Sequence, residues 1–145
     1  MEIYTIGFTQ KSAERFFGLL TQHEIRRLID VRLNNSGQLA GFTKQGDLQF
    51  FLRSLCDADY VHQPLLAPTK ALLTGYRKGE YSWSDYEHQF DGIMRARAIE
   101  STLDRGLFAD RSVLLCSEPT PEQCHRRLVA EYLQRHWPTV SIAHL

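Results

Sequence analysis

The chain alternates short apolar runs with stretches of helical spacing, and this alternation limits its fold more than any other feature. Runs rich in β-branched and aromatic residues predict strands at residues 3–8, 27–31, 60–62, 112–116 and 140–143. Helical spacing predicts helices from Ser12, over 48–55, over 69–76, from Ser84 and over 121–135. Strands separated by helices form parallel sheets through right-handed crossovers. We therefore predict a single Rossmann-like α/β domain over residues 1–145, with a mainly parallel sheet of about five strands and helices on both faces.

Capping residues and glycines predict where several helices begin and end. Asp47 is placed to cap the second helix with its carboxylate. Ser84 and Glu87 match a capping box, in which each side chain accepts a bond from a backbone N–H that the helix leaves unpaired. Gly106 is predicted to end the helical segment that precedes the fourth strand.

Composition excludes some classes of protein and favours others. The chain has 145 residues, 17 Lys and Arg against 17 Asp and Glu, so its global charge does not attract nucleic acid or anionic membranes. No apolar run approaches the roughly 18 residues of a membrane span. The three cysteines lack the spacing of a secreted scaffold, and the first residues lack a secretory leader pattern. We expect a reduced cytoplasmic protein without a membrane role.

Polar and charged residues follow the predicted strands on one edge of the sheet. Thr9 follows the first strand, Asp30 and Arg32 end the second, and Cys116 and Glu118 end the fourth. Ligands of open α/β sheets bind at the carboxyl ends of the strands. Carboxylates beside arginines suit acid–base chemistry or the recognition of phosphate. The alternative is a salt bridge, Asp30–Arg32 or Arg32–Glu118, that only ties loops together.

The segment CSEPTPEQCHRR, residues 116–127, is the densest cluster of reactive side chains. Thr120 is the predicted N-cap of the last helix, with Pro121 at its first position and Gln123 returning the capping bond. Cys116 would then lie close to a helix N-terminus, where unpaired N–H groups favour an anion.

His125 falls on the apolar face of that helix and is aimed at the sheet. One interpretation is a buried histidine bonded to a backbone carbonyl, which holds the turn together. A metal site is a second interpretation, but Cys116, Cys124 and His125 supply three ligands, and Glu118 or His62 would have to complete a structural zinc site. We predict no metal and no cofactor.

Cys116 is also a candidate nucleophile, because a helix N-terminus and a nearby cation lower the pKa of a thiol. The phosphatase loop C-x5-R is absent, since that spacing leads from Cys116 to Glu122. The alternative makes Cys116 and Cys124 small core residues. Separately, the middle of the chain carries aromatic and basic residues that predict a stacking surface for a nucleotide or a single strand, or else pack the core: Tyr76, Arg77, Lys78 and Trp83.

Several motifs together resemble the prokaryotic family of the domain of unknown function 488. They are TIGF, LIDVR, SDYEHQF and LLCSEPTPEQCHRRLVAEYL, spread from about Ile3 to His144. The resemblance implies a Rossmann-like α/β fold and leaves activity unassigned. It matches the positions Asp30, Arg32, Tyr60, Tyr86, Cys116, Glu118, Cys124, His125 and Arg126. The chain departs from the family at Leu33-Asn34-Asn35, where a proline-containing loop is more usual.

These patterns predict an enzyme-like pocket for a nucleotide, nucleic acid or other phosphorylated ligand at the carboxyl edge of the sheet. Glu118 or Asp30 would be the general acid or base, His125 a proton carrier and Cys116 the nucleophile. The predicted ligand-binding residues are Thr9, Arg32, Tyr60, Tyr86 and Arg126. The alternative is a non-catalytic module that binds nucleic acid or protein and whose Cys/His/Arg cluster is structural.

Overall fold

A fully parallel sheet of five strands forms the centre of the protein. The computed structural model describes residues 1–35, 41–118 and 121–145. The strands are β1 (Glu2–Gly7), β2 (Arg27–Asp30), β3 (Asp59–His62), β4 (Ser112–Cys116) and β5 (Ser141–His144). Their order is β3-β2-β4-β1-β5. This confirms the predicted α/β fold; because β4 lies between β1 and β2, unlike in the doubly wound order 3-2-1-4-5-6, the narrower term Rossmann-like stays a prediction.

Helices connect the strands and cover the sheet. They are α1 (Ala13–Gln22), α2 (Gln45–Phe51), α3 (Lys70–Arg77), α4 (Trp83–Ala96), α5 (Ile99–Thr102) and α6 (His125–His136). A wider helical turn, Leu52–Cys56, extends α2, and short 3₁₀ turns lie at Gly41–Thr43, Pro64–Leu66 and Arg105–Phe108. In the parts of the chain that the structure describes, no helix has both the length and the apolar character needed to cross a membrane.

The two faces of the sheet bury two separate cores. Successive side chains of a strand point to opposite faces, so Ile3 packs with α3 to α6 while Tyr4 packs with α1 and α2. The same alternation places Ile29 in the first core and Leu28 in the second. Helices therefore cover both faces, as predicted, and the loops at the carboxyl ends of the strands remain as the edge where a site can form.

Helix α4 begins two residues earlier than predicted. Its capping box is Ser82 with Asp85, whose side chains exchange bonds with the backbone N–H groups at 3.1 and 3.2 Å. The predicted pair Ser84 and Glu87 has the same spacing, but Ser84 lies within the first helical turn. Burial of the neighbouring Trp83 against the aromatic core selects the earlier start.

The other boundary predictions also differ from the structure. Lys44 occupies the N-cap of α2, and Asp47 lies in its first turn instead of capping it. Gly106 does not end α4, because that helix already ends at Ala96 and the chain changes direction at Ala98, which has a φ of 50°. Gly106 lies inside the later 3₁₀ turn. Local signals failed at these places because tertiary packing chose among several acceptable boundaries.

The last helix begins later than the predicted 121–135. Helix α6 starts at His125, with Cys124 in the N-cap position and an extended backbone (φ −134°, ψ 137°). The predicted N-cap Thr120 lies outside the described residues. Burial of both Cys124 and His125 at the sheet outweighs the local helix signal of Pro121.

The capping box of α4 gives a direct test of its boundary. We expect Ser82→Ala to lower the free energy of unfolding by about 1 kcal/mol, because it removes the acceptor for the Asp85 N–H. Urea denaturation measures the change. The matched control is Ser84→Ala, which replaces an exposed serine inside the helix and should change stability by less than about 0.5 kcal/mol. The opposite ranking of the two variants would contradict the observed helix start.

Candidate functional site

A cavity of about 290 Å³ opens at the carboxyl edge of the sheet. Phe8 follows β1, Arg32 follows β2, and Cys116 ends β4 with Ser117 and Glu118 after it, so the ends of three neighbouring strands meet there. Of the predicted site residues, the cavity is lined by Arg32, Tyr86, Cys116, Glu118 and His125. The predicted gathering of β1, β2 and β4 at one edge is thus present in the structure.

Cys116 and His125 form a bonded pair in the cavity wall. His125 Nδ1 lies 3.3 Å from the Sγ of Cys116, and Nε2 lies 2.6 Å from the Val31 carbonyl oxygen. A carbonyl oxygen only accepts, so Nε2 carries a proton and Nδ1 faces the thiol. The predicted bond from His125 to a backbone carbonyl is therefore present, together with a contact to Cys116 that a purely structural histidine does not need.

Cys124 points at the same thiol. Burial alone would raise the pKa of Cys116, but hydrogen bonds from Cys124 and the Ser117 N–H, and the bond and charge of His125, lower that pKa well below its ordinary value. Burial and the neighbouring Cys116 raise the pKa of Cys124. Burial alone would lower the pKa of His125, yet Cys116 and the Val31 carbonyl raise it. The pair therefore favours thiolate and imidazolium, with Cys124 as donor.

These three side chains also form a cluster of metal-ligating atoms. The ligand atoms of Cys116, Cys124 and His125 all lie within 4.8 Å of one another, and all three residues are buried. Of the two residues considered as a fourth ligand, Glu118 is exposed on the cavity wall, whereas His62 bonds the carbonyl oxygen of Arg32 at 2.9 Å. The cluster can hold a metal with a position left toward the cavity.

Asp30 holds Arg32 and does not line the cavity itself. Its carboxylate accepts bonds from Arg32 Nε and Nη2, both at 2.9 Å, from the Arg32 backbone N–H at 3.1 Å, and from the Tyr60 hydroxyl at 2.6 Å. The Arg32 Nη2 also bonds the Thr43 carbonyl at 2.7 Å, and its guanidinium lies 5.4 Å from the ring centre of Phe8. Asp30 and Tyr60 therefore fix the position of an arginine that does face the cavity.

Asp30 and His125 lie on opposite faces of the sheet at the same strand end. The side chain of Asp30 shares the face of Leu28, whereas His125 bonds the carbonyl of Val31, the residue after Asp30. The two side chains make no direct hydrogen bond, and His125 is instead held by the backbone carbonyl of Val31, the residue after β2.

Arg126 lies beneath the end of β1. It is fully buried; its Nε lies 3.3 Å from the Thr5 hydroxyl and its Nη1 donates to the Glu118 carbonyl at 2.5 Å. Its Nη2 is buried and has no hydrogen-bond partner among the described residues. Thr9 is exposed, and its backbone N–H bonds the Ser117 carbonyl at 3.0 Å. Both residues tie the β1 and β4 loops together, and direct ligand contacts from them stay predictions.

An aromatic wall forms the apolar side of the cavity. The rings of Trp83 and Tyr86 stack with centres 4.9 Å apart, and Tyr76 packs against both at 5.7 and 5.1 Å. Arg77 lies beside this wall and lines the same cavity. Burial, together with the nearby Cys116 and Cys124, raises the pKa of Tyr86. The cavity thus has an apolar ring-lined side and a polar side.

Some contributors to the site carried no sequence signal. Val31 acts through its carbonyl and Thr43 through its backbone, so neither side chain could have been recognised. The position of Phe8 under Arg32 follows from packing between loops. Cys124 could be recognised within the segment CSEPTPEQCHRR, but its orientation toward Cys116 depends on the extended backbone before α6.

Comparison with known proteins identifies the family. The family model described as domain of unknown function DUF488 matches residues 12–133. No curated protein and no solved structure matches the chain. The match includes both strands that carry the polar edge, β2 and β4, and the cysteine and histidine cluster that precedes and begins α6. The chain belongs to the DUF488 family.

Proposed function

We propose that this protein is enzyme-like and that its edge cavity binds an anionic ligand, a nucleotide or another phosphorylated compound. The observation that carries the proposal is the fixed arginine in the cavity wall. Arg32 is oriented by two bonds to Asp30 and one to Thr43, so its guanidinium needs no reordering when a ligand arrives. Asp30 neutralises part of that charge, and Arg77 supplies a second cation at the same cavity.

The two sides of the cavity favour a ligand with a flat apolar part and a charged part. Tyr76, Trp83 and Tyr86 present ring surfaces on which a base or other planar group can stack. Arg32 and Arg77 suit phosphate oxygens, which guanidinium groups bind through paired donors. This combination fits a nucleotide better than a phosphosugar.

The remaining residues divide into reacting and positioning groups. Glu118, exposed on the wall, is the candidate general acid or base. Arg126 is a positioning residue, since it holds the Glu118 carbonyl and so the loop that carries that carboxylate. Cys116 and His125 lie at the polar end of the cavity. The thiolate of Cys116 serves either as a nucleophile, with Cys124 as its hydrogen-bond donor, or as a metal ligand together with Cys124.

Ligand-induced thermal stabilisation across nucleotides, short oligonucleotides and phosphosugars tests the proposal. We expect at least one phosphorylated compound to stabilise the wild type. Arg77→Ala should weaken its binding at least about tenfold, because a hydrogen bond to a charged group contributes about 1.5–3 kcal/mol. Arg32→Lys should also weaken binding, since it keeps the charge and loses the planar fork.

The control for this experiment is Arg26→Ala. Arg26 is a partly exposed arginine paired with Asp57 before β2, away from the carboxyl edge, and its loss should leave binding unchanged. Stabilisation that survives intact in both Arg77→Ala and Arg32→Lys would reject the anion-binding role. Binding that falls steeply with salt, without turnover of any compound in the panel, would favour the non-catalytic nucleic-acid module.

A further inference from the structure

We propose that Cys116, Cys124 and His125 bind a zinc ion whose remaining position opens to the edge cavity. This site deepens the proposed function, because the metal would stand at the polar end of the ligand cavity, and it replaces the predicted nucleophile with a Lewis acid. Thiolates and imidazole are the ligands that select zinc among common divalent ions.

The geometry of the three ligand atoms fits a tetrahedral ion. Sγ of Cys116 and Nδ1 of His125 are 3.3 Å apart, and no pair in the set exceeds 4.8 Å. Zinc–sulfur and zinc–nitrogen bonds in tetrahedral arrangement place ligand atoms about 3.5–3.8 Å from one another. A shift of at most about 1 Å in the widest pair therefore suffices to admit the ion.

The imidazole is held in the orientation that a ligand requires. Metal-bound histidines donate their second ring N–H to a carboxylate or carbonyl, which fixes the tautomer and ring plane. In this protein Nε2 lies 2.6 Å from the Val31 carbonyl oxygen, so the proton is on Nε2 and the lone pair of neutral His125 is on Nδ1, facing the two thiols.

The second thiol distinguishes a metal site from a nucleophile. A cysteine nucleophile needs one thiol and a base, and Cys124 would then serve only as a hydrogen-bond donor to Cys116. Yet Cys124 is only 2% exposed, and the extended backbone at this position, just before α6, directs it to the cluster. Two buried thiolates around a divalent cation also balance their charges, which removes the cost of an uncompensated buried anion.

The fourth coordination position of such an ion would open to the cavity that the cluster lines. Structural zinc sites are closed by four protein ligands, whereas catalytic sites keep three and bind water or substrate in the fourth position. All three ligands lie on the cavity wall, and Glu118 is on the same wall. A zinc ion there would lower the pKa of water in the open position toward neutral pH, and Glu118, on the same wall, is the candidate base for that proton.

Metal analysis of the full chain, purified with reductant and without chelator, tests the site. We expect about one equivalent of zinc per chain, or uptake of about one equivalent of Co²⁺ after the metal is removed and replaced. The cobalt form should show thiolate-to-metal absorption and the visible bands of tetrahedral Co²⁺. Cys116→Ser and Cys124→Ser should lose most of the metal and shift those bands.

The matched control is Cys56→Ser, which removes the half-buried cysteine outside the cluster and should keep the full metal content. Should a cluster variant fail to fold, the wild-type cobalt spectrum still decides. Wild-type protein that binds neither zinc nor Co²⁺ through thiolates overturns the metal site and leaves the nucleophile interpretation. Zinc binding with no response to any phosphorylated compound would reject only the ligand proposal, so the two failures are distinguishable.

Discussion

Asp30→Ala is expected to destabilise the protein by about 3–5 kcal/mol, the cost of breaking a buried ion pair. The carboxylate is completely buried and accepts bonds from Arg32 and Tyr60. Its removal leaves the guanidinium of Arg32, only 8% exposed, without a counter-charge, and leaves the Tyr60 hydroxyl without its acceptor. Urea denaturation with a two-state fit measures the change.

A second acidic residue provides the control for this prediction. Asp57 pairs with Arg26 at 2.9 Å, but its side chain is 90% exposed. Exposed pairs of this kind contribute about 0–1 kcal/mol, so Asp57→Asn, which removes the charge and keeps a residue that tolerates the left-handed backbone at this position, should leave stability nearly unchanged. Equal stability of the Asp30 and Asp57 variants would show that the Asp30–Arg32 pair does not anchor the edge of the sheet. Arg32→Met in the Asp30→Ala background should recover part of the loss, because it removes the uncompensated charge.

Gly7→Ala is expected to lower the free energy of unfolding by at least about 3 kcal/mol, at the upper end of overpacking effects. A Cβ at this position would overlap the Glu118 carbonyl oxygen and the Nη1 of Arg126, which bond each other. Both atoms belong to rigid parts of the site, since one is backbone and the other is fully buried. Thermal unfolding measures the loss of stability.

Another glycine supplies the comparison. Gly18 lies in α1, and a Cβ built there meets no atom within 4 Å. Gly18→Ala should therefore stabilise the protein by up to about 1 kcal/mol through its higher helix propensity. A Gly7→Ala protein as stable as the wild type would mean that the β4 loop can move away from β1, and the close packing of Glu118 and Arg126 would then not constrain the site.

The fold was predictable because its signals are periodic. Strand β4 was predicted with its observed bounds, since five consecutive apolar or small residues buried on both faces leave no other assignment. Helix boundaries were less predictable, because Ser82–Asp85 and Ser84–Glu87 offer the same capping chemistry and only the packing of Trp83 distinguishes them. Sequence periodicity reports which face a residue occupies, but does not choose between equivalent caps.

The candidate site was predictable in part for the same reason. Arg32, Cys116 and Glu118 could be placed together because each lies at or just beyond the end of a strand on one edge. His125 could be added because helical periodicity aimed it at the sheet. The role of Asp30 could not be predicted, because the sequence shows the pair Asp30 and Arg32 but does not show which of the two side chains faces the cavity. The position of Cys124 beside Cys116 and His125 depends on the extended backbone before α6, whereas the local pattern after Pro121 indicates a helix there.

The position of β4 in the middle of the sheet has a consequence for synthesis on the ribosome. Strand β1 pairs only with β4 and β5 within the described chain. Ile3 therefore has no strand partner until Ser112 or Ile142 has left the ribosome. Until then the nascent amino-terminal half exposes an unpaired apolar strand, and its strongest contacts are far apart in sequence. A chain released from the ribosome before residue 112 would therefore be prone to aggregation and to capture by chaperones. A chain released after β4 is complete could pair β4 with β1 and β2 in a single late step.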